Sequence, residues 1–147
     1  GQLEGRMKRI SPHLVRGPQE PLNADLRDFY ATLLSVLKLP LLRGGEWSLL
    51  SCTPAWEGNG SYDSFIAFGW RGTDGERMVV VVNYKPHSSQ CYLPLPFIEL
   101  HGATWRLKDL LSEASYDRDG DDLHIGGLYL DMKPWQYHAF ELKKVMP

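Results

Sequence analysis

The chain has 147 residues, 43% of them hydrophobic and 23% charged, which are values of a folded globular protein and exclude a wholly disordered one. It is too short for a (β/α)8 barrel, which takes about 250 residues, yet long enough to bury about 70% of its unfolded surface without disulfides or a structural metal. Sixteen Lys and Arg against 18 Asp and Glu leave a net charge of −2, which nominates neither nucleic acid nor a membrane as partner.

Residues 1–22 lack apolar periodicity and carry Pro12, Pro18 and Pro21, so they read as an extended lead-in. Gly1 stands where an initiator methionine would, as in a tag-cleavage remnant or a piece excised from a longer protein. Residues 23–39 read as one amphipathic helix. Asn23 or Asp25 can cap it, and Leu26, Phe29, Tyr30, Leu33, Leu34 and Leu37 recur at spacings of three and four. Pro40 is expected to stop it. After Gly44-Gly45 the chain turns to short β-prone runs: 47–53, 64–70, 77–83, 90–95, 103–107, 115–118, 123–125, 128–131 and 137–142. Asp74-Gly75 predicts a hairpin between the second and third runs, and hairpins are also expected about Gly120 and Gly126-Gly127. Val79–Val82 has no polar alternation, which predicts a central strand buried on both faces. Trp105, Leu107, Leu110 and Leu130 are expected to join its core. The fold class is therefore all-β, an antiparallel sandwich with Greek-key connections over 44–147, preceded by one helix.

The chemistry-bearing residues form no catalytic constellation. Asp117–Asp122 invites a calcium reading, but counting from Asp117 the sixth and twelfth positions are Asp122 and Leu128, where an EF-hand loop needs Gly and Glu. A polar turn on Asp119-Gly120 is the expectation instead. The histidines are scattered singly, and no CxxC, GxSxG, GxGxxG or phosphate-loop spacing occurs. No catalytic residue, metal or cofactor is expected. Cys52 and Cys91 read as two small buried thiols, able to pair only if their strands are neighbours. Of the five tryptophans, Trp47, Trp105 and Trp135 are expected in the core because each begins or lies in a strand. Trp56 and Tyr62 flank a polar, Gly-rich loop, and with Asn59 they are the candidate carbohydrate-binding residues.

The order of features resembles the end of an α-amylase-family glycoside hydrolase. Phe29-Tyr30 and the segment Pro40–Trp47 (PLLRGGEW) look like the last barrel helix and the entry to that family's C-terminal β-domain. Phe65–Phe68 with Met78–Asn83, then Trp105–Leu111 (WRLKDLL), are similar to its strands. Asp117–Gly120, Gly127–Leu130 and Pro134–Gln136 with Phe140 resemble its closing segment. The resemblance implies a retaining glycosidase or transglycosidase acting on α-glucans as the parent. That family's catalytic carboxylates lie on barrel strands, and no residue here matches those motifs. It also implies the missing catalytic barrel as partner, with α-glucan as a second one if surface aromatics hold sugar. The apolar stripe of 23–39, built to pack on neighbours, further predicts a homodimer through that helix.

Overall fold

The structure is a computed structural model that describes residues 2–9, 11–13 and 15–145. The chain divides into two compact units, Gly1–Leu39 and Pro40–Pro147.

In the first unit, helix α1 spans Ala24–Val36. Asn23 caps it, its Oδ1 accepting from the Leu26 N–H at 3.0 Å, and so satisfies a backbone donor that the helix start leaves without a partner. The preceding segment is tied back rather than simply extended. A 3₁₀ turn over Gln2–Glu4 presents the Glu4 carbonyl to the Asn23 N–H at 3.1 Å. The Met7 and Lys8 N–H groups both donate to the Glu20 carboxylate. Along α1, Leu26, Phe29 and Leu33 are half-buried, while Leu34 and Leu37 are exposed.

The second unit is mostly β. Pro40 does not merely end a helix; it opens a one-turn helix, α2 (Pro40–Gly44), where its missing N–H costs nothing. Among the described residues nine strands follow: β1 (Glu46–Leu50), β2 (Thr53–Pro54), β3 (Phe65–Arg71), β4 (Arg77–Asn83), β5 (Ser89–Leu93), β6 (Thr104–Asp109), β7 (Ser115–Asp119), β8 (Leu128–Met132) and β9 (Tyr137–Lys144). They form two antiparallel sheets, ordered β1-β3-β4-β9-β6-β7 and β2-β5-β8. The sandwich read from the sequence is present, and β4 lies inside the larger sheet.

The core lies between the sheets. Val79, Val81, Leu107, Phe140 and Leu142 from the larger sheet meet Cys91, Leu93, Leu128, Leu130 and Met132 from the smaller. Trp105 joins them, its indole N–H donating to the Leu100 carbonyl at 3.1 Å. Leu110 stops at half-buried because it sits in the turn that leaves β6. Val80 and Val82 are also only half-buried, so β4 is fully covered on one face alone.

Four expectations fail in instructive ways. Residues 123–125 are not a strand but the end of helix α3 (Gly120–Ile125). Asp119 caps that helix, accepting from the Asp121 and Asp122 N–H groups, so it makes a helix start and not a β-turn. The hairpins expected about Gly120 and Gly126-Gly127 are absent, because α3 carries the chain from the larger sheet to the smaller. Gly120 is required there: a Cβ would lie 1.8 Å from the Leu100 carbonyl oxygen. Asp74-Gly75 does turn β3 into β4, but within a five-residue loop closed by the Gly72 N–H on the Glu76 carbonyl, with Gly75 alone at positive φ. The fourth failure concerns Trp47 and Trp135, which are 54% and 53% exposed and lie outside the core. Cys52 and Cys91 stand on neighbouring segments as free thiols, Cys91 buried and Cys52 half-buried.

Candidate functional site: an uncovered sheet face

In β3 the side chains alternate between the faces of the larger sheet. Ala67 and Gly69 are buried inward, so the bulky Ile66, Phe68 and Trp70 point outward. On β1, Trp47 pairs with Trp70 and Leu49 with Phe68 in the antiparallel register. The rings touch: Trp47 and Phe68 centroids are 6.5 Å apart, and Phe68 and Trp70 meet edge to face at 5.4 Å. Leu49 is 67% exposed, and Ile66 is exposed beside it. This outer face of β1 and β3 is thus a contiguous apolar patch, the kind of surface that marks an association site.

At the β3–β4 end of the same sheet, Arg71 and buried Arg77 both ion-pair with Glu99, Arg77 at 2.9 Å. Arg77 also donates to the Glu76 carbonyl at 2.6 Å and lies over the Phe97 ring. Glu99 is held below the usual carboxylate range by its backbone hydrogen bond and by the two guanidinium groups. A cleft of about 530 Å³ opens there, lined by these charges and by Gly44, Glu46 and Gly72. Glu99 takes both guanidinium groups, while Arg77 Nε is buried without a hydrogen-bond partner among the described residues.

The three sequence-nominated sugar-binding residues part company in the structure. Trp56 is 56% exposed. Asn59 is buried, its Oδ1 accepting from the Ser61 N–H at 2.7 Å and from Ser61 Oγ at 2.6 Å as the cap of the 3₁₀ turn Gly60–Ser64. Tyr62 is half-buried and packs against the hydrophobic core. Among the described residues no group of three or more His, Cys, Asp and Glu could hold a metal ion. Three acids of the run are engaged locally: Arg106 clamps Asp117 with two bonds of 2.7 Å, Asp119 caps α3, and Asp121 pairs with His101 at 2.5 Å.

Two residues of the resembling motifs prove to be buried polar hubs. Asp109, from WRLKDLL, accepts from the Leu111 and Ala139 N–H groups, from Ser112 Oγ at 2.6 Å, and from His138 Nδ1 at 2.8 Å. Burial pushes its carboxyl up, but the bonds from His138, Ser112 and the backbone outweigh it and hold it down at about 2. A carboxylate only accepts, so His138 carries its proton on Nδ1, leaving Nε2 to accept from Gln136 at 3.0 Å. Asn83, closing the valine strand, points its amide nitrogen at the carbonyls of His87, Met132 and Lys133, within 2.8–3.2 Å. It joins the β4–β5 loop to the end of β8. Both hubs fasten loops.

No protein-family model and no curated protein matches the chain. Solved structures do. Trehalulose synthase MutB, an inactive double mutant holding isomaltulose, superposes with a TM-score of 0.50 at 24% identity, over 80% of this chain and 18% of that one. The chain matches a fragment of an α-amylase-family enzyme in fold. A monoclinic form of the enzyme from Pseudomonas mesoacidophila MX-45 gives 0.49 over the same shares, also at 24% identity. A putative α-N-acetylgalactosaminidase from Bacillus halodurans C-125 gives 0.42 at 15% identity, over 66% of this chain and 21% of that one. The chain thus spans about a fifth of the enzymes it matches.

The outer-face patch is not evident from the sequence, where Trp47 reads as a core residue. A signal for it exists nonetheless. A strand that is apolar at every position, as Phe65–Trp70 is, needs a cover on both faces, and the smaller sheet covers only one.

Proposed function

We propose that the chain is the non-catalytic C-terminal β-domain of an α-amylase-like glycoside hydrolase or transglycosidase acting on α-glucans, and that it stabilises the catalytic barrel of that parent. The observation that carries this reading is the apolar outer face on which Trp47, Leu49 and Ile66 are exposed beside half-buried Phe68 and Trp70. A protein that ended its packing at its own second sheet would place polar residues there. The helix stripe of Leu26, Phe29, Leu33 and Leu37 is a second surface for the same barrel, or for another copy of the chain. Two measurements test the proposal. The purified chain releases no reducing sugar from starch, maltodextrin or glycogen. The reading frame upstream of Gln2 encodes barrel strands ending in carboxylates. Turnover that survives repurification and disappears on substitution of one acid of this chain overturns the non-catalytic reading, and an upstream frame without such strands overturns the accessory one.

The second reading, a module that stacks α-glucan on Trp56 with Asn59 and Tyr62, has the exposure of Trp56 in its favour. Retardation of the chain in a starch-containing gel that is lost in Trp56→Ala would establish it.

A further inference from the structure

The chain has two cysteines, and the smaller sheet brings them together. Strand β2 is an edge of that sheet and pairs with β5 through two residues, Thr53 opposite Tyr92 and Pro54 opposite Cys91. The same antiparallel register, continued by one residue, sets Cys52 opposite Leu93. Leu93 and Cys91 stand two positions apart on β5, and both are fully buried on its inner face. Side chains opposite one another share a face, so Cys52 points inward as the diagonal neighbour of Cys91. Its packing agrees, because Cys52 lies against the core cluster that contains Cys91. The two thiols are hydrogen-bonded, the Cys91 S–H donating to the Cys52 sulfur. Both are free, but their access differs: Cys91 has no exposed surface, while Cys52 is half-buried at the sheet edge.

We infer that Cys52 and Cys91 form an oxidation-sensitive pair, in which Cys52 reduces a hydroperoxide and Cys91 then closes an intrachain disulfide. The environment fixes this order. The bond from Cys91 holds the Cys52 thiol below its ordinary value, against the opposing effect of burial. That same bond, burial and the Cys52 charge push the Cys91 thiol up. The thiolate is the nucleophile, so the half-buried Cys52 reacts first. Its sulfur attacks one peroxide oxygen; the S–O bond forms, the O–O bond breaks, and the second oxygen leaves as hydroxide, which takes up the proton that Cys52 released. The sulfur loses two electrons to the peroxide and becomes a neutral sulfenic acid. The charge that opposed ionisation of Cys91 is then gone, and Cys91 attacks the Cys52 sulfur. The S–S bond forms, the S–O bond breaks, and hydroxide leaves with the Cys91 proton as water. Two thiols and one hydrogen peroxide thus give one disulfide and two waters. The product ties β2 to β5 covalently, where a two-residue ladder holds it in the reduced chain. The segment bearing Trp56 leaves the sheet directly after β2, so oxidation anchors its near end. None of this rests on the accessory-domain reading.

The test treats the intact native chain with hydrogen peroxide and follows it by mass spectrometry. The expected product is a monomer lighter by two hydrogen atoms, with both thiols lost to labelling and a peptide map that joins Cys52 to Cys91. A reducing thiol should restore the original mass. Cys91→Ser, with a native circular dichroism spectrum, should stop at a Cys52 sulfenic acid that dimedone traps. In the untreated wild type, iodoacetamide should alkylate Cys52 at least about tenfold faster than Cys91, a measurement that needs no variant. Two thiols that survive peroxide overturn the inference. So do a disulfide between two copies of the chain, oxygen additions without a Cys52–Cys91 link, or a Cys91 alkylated as fast as Cys52.

Discussion

The larger sheet carries apolar residues on both faces, inward along β4, β6 and β9 and outward on β1 and β3, while outward β6 presents Arg106 and Lys108. The two apolar sets have opposite fates. Inward, Val79, Val81, Leu107 and Phe140 are sealed by the smaller sheet; outward, Trp47, Leu49 and Ile66 remain in water. Burial of a large apolar side chain is worth about 1.5–3 kcal/mol, so the inward set holds the fold together and the outward set contributes little to it. Apolar residues that the fold does not use are available to a partner. The difference separates stability from association within one sheet.

The comparison breaks most visibly if inward truncations prove harmless. Leu107→Ala should cost about 2–5 kcal/mol and Val81→Ala about 1–3 kcal/mol, read from chemical denaturation, because each leaves a void in a packed interior. A neutral Val81→Ala would refute the sandwich core.

Next in size is the polar hub behind the inward face. The folded Asp109 carboxyl lies at about 2, below its unfolded value of 3.8. A depressed folded value gives stability that is fully present above the unfolded value and is lost as pH falls toward 2. The loss should approach about 2 kcal/mol between pH 5 and pH 2, because each tenfold difference in proton affinity between the folded and unfolded chain is worth about 1.4 kcal/mol. Asp109→Asn should be less stable at neutral pH and should lose that part of the acid dependence. An unchanged acid profile in the variant would assign the dependence to other carboxylates.

Outward substitutions should act on association rather than stability. Trp47→Ser with Leu49→Ser should change the unfolding free energy by no more than about 0.5 kcal/mol per site while reducing self-association or raising solubility. A loss of several kcal/mol would show that the outer face belongs to this chain's own core. On the helix, Phe29→Glu with Leu33→Glu should shift any dimer seen by light scattering to monomer. A wild type that stays monomeric at high concentration would end the homodimer proposal.

Much of the architecture is legible in local signals. The Asn23 cap, the 3–4 spacing of α1, the valine run of β4 and the Asp74-Gly75 turn each express a constraint that a few neighbouring residues impose alone. Helix α3 shows the limit of such signals. Six residues are too few for a helical period to register, although Asp119 followed by Asp121 and Asp122 does carry a cap signature.

By itself the sequence determined the class of the fold and the places of most of its strands along the chain, and it carries no motif for catalysis or metal binding. Tertiary structure alone decided which face each strand buries, and with that the place of Trp47; it also seated the 3₁₀ turn that buries Asn59 and packs Tyr62 on the core. Alternation gives the two faces of a strand but not which of them another sheet will cover. That choice arises only when the three-stranded sheet packs on one face of the six-stranded one, which leaves the aromatic outer face of β1–β3 outside the contact.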